Sequence, residues 1–450
     1  MEISEFTRER VRAGLSITQA ALELGLPITA IESYERGDAK PKPRTLQTLR
    51  GLASVFGDWD QAPGENVDYP NTFYEFFAGG GMARIGLGPN WKCLFANDID
   101  SKKGASYTRN WGHSELHLAD VRELNPPNLP GAADLAWASF PCQDLSLAGT
   151  GAGLRGERSG TFWPFWSLMN ALADEGRAPP MIVLENVCGA LSSHGGKDFA
   201  AIGSAIANAG YRFGALVIDA VHFVPQSRPR LFIIAVDKAY PVSEALTQSK
   251  PNRIWHTAAL IEAYDRLSER ARENWLWWHL PPPPKRNAVF ADLIEEEPKG
   301  VVWHTAAETQ KLLDMMSSVN RAKVIAASKA ARRMVGTIYK RTRSDGIGGK
   351  MQRAEIRFDD VAGCLRTPAG GSSRQTIMIV EGSELRSRLL SPREAARLMG
   401  LPEQYKLPEN YNEAYHLAGD GVVVPVVRYL SENILEPVLA AIAIANKAAA

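Results

Sequence analysis

The sequence predicts an α/β protein: a doubly wound, Rossmann-like domain, a smaller second domain and an N-terminal all-α helix-turn-helix unit. Three observations carry this reading. From 72 to 240 short apolar runs alternate with amphipathic stretches, the pattern of a mostly parallel sheet covered by helices. From 241 to 375 that rhythm is lost and basic residues accumulate, whereas residues 1–57 carry helical periodicity alone. The 450 residues allow two to four domains, at roughly 100–200 residues each. Lys and Arg number 51 against 50 Asp and Glu, a net charge of +1, which excludes a wholly basic scaffold but not a local basic face. No apolar run reaches the roughly 18 residues of a membrane span, and the opening MEISEFTRER lacks a signal peptide's apolar stretch. The four cysteines, Cys93, Cys142, Cys188 and Cys364, form no CxxC pair. That usage fits a reducing cytoplasm and argues against a disulfide framework or a Cys-rich zinc site.

The elements follow in chain order. In 1–57, Ser16 is an N-cap for ITQAALEL, and Gly25 supplies a tight break before PITAIESYER, with proline near its first turn. Helix, glycine turn, helix is the outline of a helix-turn-helix. Residues 58–71 are polar and rich in Gly, Pro, Asn and Asp, the composition of a linker. The runs TFYEFFA, KCLFAND, DLAWASF, MIVLENV, RFGALVI and RLFIIAV read as strands buried on both faces. GTFWPFWSLMNALADEG and DFAAIGSAIANAG read as helices between them. Residues 241–375 form a second domain, with a Pro281–Pro284 run and Trp275, Trp277 and Trp278, which are expected in the core. Residues 376–450 return to helix and strand and rejoin the first domain. His113 and His117 in HSELH do not make an HExxH site, and a solvated helix face accounts for them.

The chemistry concentrates at strand ends. The first strand runs into Phe77-Ala78-Gly79-Gly80-Gly81, where a glycine turn before a helix lets backbone N–H groups approach a ligand. The second strand ends in Asp98-Ile99, about 20 residues on, suited to ribose hydroxyls, and Asp120-Val121 offers a carboxylate for an adenine amine. Together they point to a nucleoside-type cofactor. Phe140-Pro141-Cys142-Gln143 follows the strand DLAWAS, and a thiol just past a strand's carboxyl end sits where open α/β sheets place their ligands. The glycine-rich stretch 147–156 reads as a mobile loop. Another strand ends in Glu185-Asn186-Val187, and a carboxylate at the end of an apolar strand is costly unless it has a task or a partner. Gln226-Ser227-Arg228-Pro229-Arg230 opens the last strand, and arginines at alternate strand positions point the same way, as suits anion or carbonyl recognition.

In this order the chain resembles the C5-cytosine DNA methyltransferases over nearly all of 72–430. The resemblance rests on EFFAGGG, FPCQ, ENV, QxRxR, Arg158-Ser-Gly-Thr-Phe162 and the stretch Ser391–Pro402, SPREAARLMGLP. It implies a Rossmann-like methyltransferase domain that uses S-adenosyl-L-methionine on a cytosine flipped out of duplex DNA. It implies Cys142 as the nucleophile at C6, Glu185 at N3 and the exocyclic amine, and Arg230 with Arg228 at O2. It implies donor contacts from Phe77, Ala78, Gly79, Gly81, Asp98, Ile99, Asp120, Val121, Pro141 and Asp420. Two residues depart from the family's pattern: Met82 stands where a second glycine is usual, and Asp420 where the late motif has Asn.

The family's target-recognition region lies between the QxRxR and REAARLMG motifs. Here Arg321–Arg357 holds 11 basic residues against Asp345 and Glu355, a balance of +9. Phosphate contact by Arg341, Arg343 and Arg366 is the expectation. The N-terminal unit resembles the phage-repressor-type helix-turn-helix domains. The resemblance implies operator contact through Gln19, Thr29, Glu32 and Ser33, with Ala30 on the same face, although 8 basic and 7 acidic residues make the unit nearly neutral. The expected context is a bacterial or phage-encoded, nucleoid-associated methylase with a possible companion restriction endonuclease. The alternatives are a tRNA cytosine methyltransferase and a DNA-binding regulator that does not turn over.

Overall fold

Seven strands form one sheet in the order β3-β2-β1-β4-β5-β7-β6. They are β1 (Asn71–Phe76), β2 (Trp91–Asp98), β3 (Leu116–Leu118), β4 (Leu135–Ala138), β5 (Met181–Val187), β6 (Tyr211–Asp219) and β7 (Pro229–Asp237). The first five are parallel, and β7 runs antiparallel to both β5 and β6. The computed structural model describes residues 4, 6–7, 10, 17–43, 45–46, 70–141, 160–283, 285–286, 288–344, 349–365 and 374–449, and only the backbone of 18, 19, 22, 23, 343, 344, 448 and 449.

All four residues of β4 are buried, as are the first six of β5. Such continuous burial is the mark of strands covered on both faces. The covering helices are Met82–Leu87, Ser101–Trp111, Phe162–Asp174 and Lys197–Asn208. The second is capped by Asp100, which accepts from the N–H groups of Lys102 and Lys103. Phe76, Phe95, Phe162, Phe165, Trp166 and Phe199 lie in one apolar core, with the rings of Phe76 and Phe165 4.9 Å apart. From β1 the chain steps outward through β2 to β3, then returns to β4 on the other side of β1. The reversal makes the carboxyl ends of β1 and β4 the switch point, where sheets of this kind bind ligands.

The chain divides into two compact units, one of Met1–Trp59, Ala220–Arg228 and Pro284–Gly421, the other of Asp60–Asp219, Pro229–Pro283 and Val422–Ala450. Residues 241–283, expected with the second domain, therefore belong with the seven-stranded sheet. The tryptophans explain it. Trp275 sits 5.2 Å from the Phe213 ring on β6, and buried Trp278 donates from Nε1 to the Ile234 carbonyl on β7 at 3.3 Å. Trp277 and Trp278 form β9, paired with β8 (Thr247–Gln248). At the C-terminus, helices Val424–Leu430 and Glu436–Ala449 rejoin the same unit. Trp91 donates from Nε1 to Ser431 at 3.0 Å, and a Cβ on Gly86 would lie 2.3 Å from that of Val427.

The other unit is built on an antiparallel sheet of order β11-β10-β12-β13, from β10 (Met334–Ser344), β11 (Lys350–Arg357), β12 (Thr376–Glu381) and β13 (Glu384–Leu389). Residues 376–421, expected to rejoin the first domain, belong here, since β12 and β13 are half of this sheet. Helices Ala306–Asp314 and Ser318–Ser328 supply Leu312, Val324 and Ala327 to a core with Ile338, Ile356, Met378 and Val380. The REAARLMG segment does structural work. Its Glu394 completes a capping box with Ser391 and forms a fully buried, two-pronged ion pair with Arg388 at 2.6 and 2.7 Å. Its Arg393 donates to the carbonyls of Pro402 and Tyr405.

In the N-terminal segment, helices Ile17–Leu24 and Ile28–Arg36 flank Gly25, whose φ of 62° is the left-handed turn that favours glycine. Phe6, Ala20, Ala21 and Ile31 are its buried apolar centre, and Arg10 pairs with Glu35 at 2.5 Å. One local expectation is corrected. His113 and His117 lie on no helix: the helix ends at Trp111, Gly112 caps it, and His117 sits on edge strand β3.

Candidate active site

The parallel strand order sets the expected site residues along one edge of the sheet. Asp120 follows β3, Asp98 ends β2, Phe77 to Gly81 follow β1, Phe140 and Pro141 follow β4, and Glu185 lies near the end of β5. Arg230, second residue of antiparallel β7, comes to the same edge, in register with Val187.

The glycine turn is held from several sides. Asp98, 7% exposed, accepts from the Gly79 N–H at 2.8 Å with one carboxylate oxygen and from the Asp100 N–H at 2.8 Å with the other. Phe77, Gly79 and Gly81 all have left-handed backbones, at φ 57°, 55° and 77°. For Phe77 that conformation is strained, and the strain sits in the turn where the sequence expects a ligand. A Cβ on Gly79 would meet nothing within 4 Å, whereas one on Gly81 would lie 2.4 Å from Trp111 Nε1. Gly79 thus faces open space and Gly81 permits a close packing contact. Ile99 is 69% exposed, which leaves an apolar side chain free at the strand end. Asp120 caps the turn Val121–Glu123 through the Arg122 N–H and also pairs with the Arg122 guanidinium at 3.3 Å. Val121 is buried in the core, so any ligand contact from it is through its backbone. Ala78 is buried and Pro141 exposed.

Behind the turn lies a buried polar cluster that sequence reasoning missed. Glu75 is fully enclosed in β1. Its Oε1 accepts from the Arg84 N–H at 3.4 Å near the start of helix Met82–Leu87, while Oε2 has no hydrogen-bond partner. Burial pushes its carboxyl up to about 8 against the pull of Arg84. Arg84 donates to the Tyr107 hydroxyl at 2.8 Å and stacks 4.4 Å from the Trp111 ring. Cys93 beside Tyr107 is an inert thiol, pushed up to about 12 by burial. A carboxylate inside the apolar run TFYEFF was the available signal for this cluster.

At the other end of the edge, Glu185 is 7% exposed and pairs with Arg230 Nε at 3.3 Å. Its neighbour Asn186 donates from Nδ2 to the Phe140 carbonyl at 3.0 Å and accepts from the Val187 N–H at 2.8 Å. That bond ties the ENV segment to the residues leading into Cys142. Cys188 is half-buried, and burial raises its thiol, with Arg230 acting in the opposite sense.

Arg228 corrects an expectation. It does not accompany Arg230. β7 begins at Pro229, so the alternation of strand side chains does not reach position 228. Its guanidinium is 2% exposed and donates to the carbonyls of Leu365, Gly419 and Gly421 at 3.0, 2.7 and 2.8 Å. Those bonds turn it away from a base-binding role. Gln226, which opens the same motif, is fully buried. It bridges the Leu365 N–H at 3.0 Å to the Leu398 carbonyl at 2.7 Å.

Of the expected DNA contacts, Arg341 is exposed on β10 and pairs with Glu355 at 3.4 Å. Thr29 and Glu32 are exposed on the second N-terminal helix, and Ser33 is partly so. Asp420 ends helix Tyr411–Asp420 and is exposed. Cys142, Arg366, the loop 147–156 and the side chains of Gln19 and Arg343 lie outside the described residues.

A glycine turn held by a carboxylate, beside Phe140-Pro141 and an ENV segment on one edge of a Rossmann-like sheet, is the arrangement of a group-transfer enzyme. The chain belongs to the C-5 cytosine-specific DNA methylases, matched over residues 71–436, and so to the DNA (cytosine-5)-methyltransferases. Residues 8–50 match the helix-turn-helix family. Over 367 residues the chain is 26% identical to Type II methyltransferase M.DsaV of Dactylococcopsis salina, covering 81% of this chain and 85% of that one. Over 365 residues it is 24% identical to Type II methyltransferase M.HhaI of Haemophilus parahaemolyticus, covering 80% and 93%. Among solved structures, the Dnmt2 methyltransferase of S. pombe is 17% identical with a TM-score of 0.49, over 82% of this chain and 99% of that one.

Proposed function

We propose that the protein transfers a methyl group from S-adenosyl-L-methionine to C5 of a cytosine flipped out of a specific duplex DNA sequence. The observation that carries this reading is the order along one sheet edge: Asp120, Asp98, the Phe77–Gly81 turn, the Phe140–Pro141 approach to Cys142, Glu185 and Arg230. The residues present suit the donor. Gly79 faces open space at a left-handed turn, Asp98 keeps lone pairs for ribose hydroxyls, and Ile99 and Phe77 offer apolar faces to adenine. Asp120 would take the adenine amine, Ala78, Gly81, Val121 and Pro141 would line the turn, and Asp420 would meet the amino-acid end. When bound, the donor supplies a methyl group on a sulfonium, an electrophile for carbon.

Cys142 adds as thiolate to C6 of the base, which makes C5 nucleophilic. Glu185, carrying a proton, donates to N3 and accepts from the exocyclic amine, so that the charge from thiolate addition is met at N3, and Arg230, 3.3 Å from Glu185, holds O2 and keeps that carboxyl group oriented. After methylation the C5 proton leaves to solvent and the cysteine sulfur is expelled, which restores the ring. Phosphate contacts come from Arg341, Arg343 and Arg366. The helix-turn-helix segment contacts operator DNA through Gln19, Thr29, Glu32 and Ser33 and regulates transcription, the gene's own included. The relatives' Type II names support a restriction-modification setting with a companion endonuclease. Among the described residues no helix is long and apolar enough to cross a membrane, and we place the enzyme in the cytoplasm, at the nucleoid.

The test is covalent capture. Duplex DNA carrying 5-fluorocytosine at the target position, with S-adenosyl-L-methionine, should give a stable protein–DNA adduct, because fluorine cannot leave as a proton does. Cys142→Ser should give none. An adduct in the serine variant would remove Cys142 from the nucleophile's role.

A further inference from the structure

We infer that Trp111 is a positioning residue for the methyl donor: its indole N–H holds the glycine turn in the shape that the donor meets. The inference rests on the proposed assignment of the Phe77–Gly81 turn to S-adenosyl-L-methionine. Phe77, Gly79 and Gly81 all have left-handed backbones, and a phenylalanine there is strained, so the turn keeps its shape only if its surroundings impose it. That support can be followed peptide by peptide. In the peptide between Ala78 and Gly79, the carbonyl accepts from the Gly81 N–H at 2.8 Å and the N–H donates to Asp98 at 2.8 Å. In the peptide between Gly80 and Gly81, the N–H makes that same bond to Ala78, and the carbonyl accepts from Trp111 Nε1 at 3.2 Å. Both planes are thus held at both ends, and Asp98 and Trp111 hold them from outside the turn.

These two side chains flank a single helix. Asp98 ends β2 and accepts from the Asp100 N–H, Asp100 caps helix Ser101–Trp111, and Trp111 is that helix's last residue before Gly112 ends it. The helix therefore fixes where one hold lies relative to the other. The indole ring is braced in turn. The Arg84 guanidinium lies 4.4 Å from its centre and donates to the Tyr107 hydroxyl at 2.8 Å, and the Tyr107 and Trp111 rings are 6.4 Å apart. Gly81 belongs to the same arrangement, since a Cβ there would lie 2.4 Å from Trp111 Nε1 and 3.1 Å from Tyr107 Cε2. The last glycine of the run makes room for the tryptophan, whereas Gly79 faces open space for a ligand. A group that acts on the turn from the protein side governs how well the donor is held and leaves the bond-making step alone.

The test removes the N–H and little else. Trp111→Phe keeps an aromatic ring without the donor, and replacement of Trp111 by 3-benzothienylalanine keeps the bicyclic shape with sulfur in place of N–H. S-adenosylhomocysteine binding to the full chain is read by calorimetry, with kcat, KM for S-adenosyl-L-methionine, duplex affinity and thermal unfolding measured alongside. Both variants should bind S-adenosylhomocysteine about fivefold to tenfold more weakly, the size of one lost hydrogen bond. KM for the donor should rise by the same factor, with kcat at saturating donor and duplex affinity within about twofold of wild type. Wild-type affinity for S-adenosylhomocysteine in a folded variant, a fall in kcat with KM unchanged, or a matching loss of duplex affinity would overturn the inference and leave Trp111 a purely structural residue. Should Trp111→Phe fail to fold, the benzothienyl variant decides by the same readings. Failure of the wild-type chain to bind S-adenosylhomocysteine would overturn the proposed function, and this inference with it.

Discussion

Glu75 sits in the middle of an apolar strand with one carboxylate oxygen unpartnered, directly behind the glycine turn. Its raised value, about 8 against 4.5, has a definite sign in stability. Between those values the unfolded chain releases the proton and the folded chain keeps it, so stability falls as pH rises from 4.5 to 8 and levels above. The slope is at most about 1.4 kcal/mol per pH unit. Glu75→Gln removes this contribution. Denaturant melts of the variant should be flatter than wild type across that window and more stable near its upper end. Identical profiles would mean that Glu75 is ionised throughout. The other residue-scale lessons concern side chains whose identity was plain and whose partners were not. Glu185 and Arg230 were each legible as a polar group at a strand end, whereas their ion pair at 3.3 Å comes from the structure alone. Arg228 was not, because the alternation rule holds only within a strand, and β7 starts one residue later. The task of Asn186 was not legible, since its acceptor, the Phe140 carbonyl, is 46 residues away in the chain.

At the scale of elements, the buried strands were legible because continuous apolar runs announce them, and all six expected runs coincide with β1, β2, β4, β5, β6 and β7. The short edge strand β3 was not, having one half-buried and two exposed positions. The ribbon of β10 and β11 was hidden for a related reason. Of β10, only Met334–Ile338 pairs with β12, so Tyr339–Ser344 and Lys350–Glu355 continue as a two-stranded ribbon with no third strand among the described residues. Polar residues on both faces erase the period-two signal. Register puts Tyr339, Arg341, Arg353 and Glu355 on one face, with Arg341 directly opposite Arg353. Like charges in that position repel; Glu355, 3.4 Å from Arg341, offsets part of this, and a duplex phosphate would offset the rest. Arg341→Gln with Arg343→Gln should therefore weaken duplex affinity and reduce the slope of log affinity against log salt by about 1.8, at about 0.9 for each phosphate that is no longer neutralised. Donor binding should not change. An unaltered salt slope would take the phosphates away from this ribbon.

Across the whole molecule, every residue assigned to methyl transfer lies between Phe77 and Asp420, while the N-terminal helices have an apolar centre of their own in Phe6, Ala20, Ala21 and Ile31. Deleting residues 1–57 should leave methylation of target sites largely intact and abolish binding to a second, operator-type sequence, measured by gel shift on the promoter of its own gene. A truncated protein that binds donor yet no longer methylates would make the N-terminal segment part of target recognition. The domain boundaries were the least legible feature. Units that the chain enters more than once are built from segments distant in sequence, and composition reports only on neighbours.

Transfer to C5 of cytosine in duplex DNA is the step on which every other assignment depends. Labelled methyl transfer from S-adenosyl-L-methionine, with the product sites read by bisulfite sequencing, tests it without an intermediate assumption. Label should appear in duplex DNA at one recurring sequence, with none in tRNA and none with Cys142→Ser. Label in tRNA alone, label on a base position other than C5, or undiminished transfer by the serine variant would contradict it.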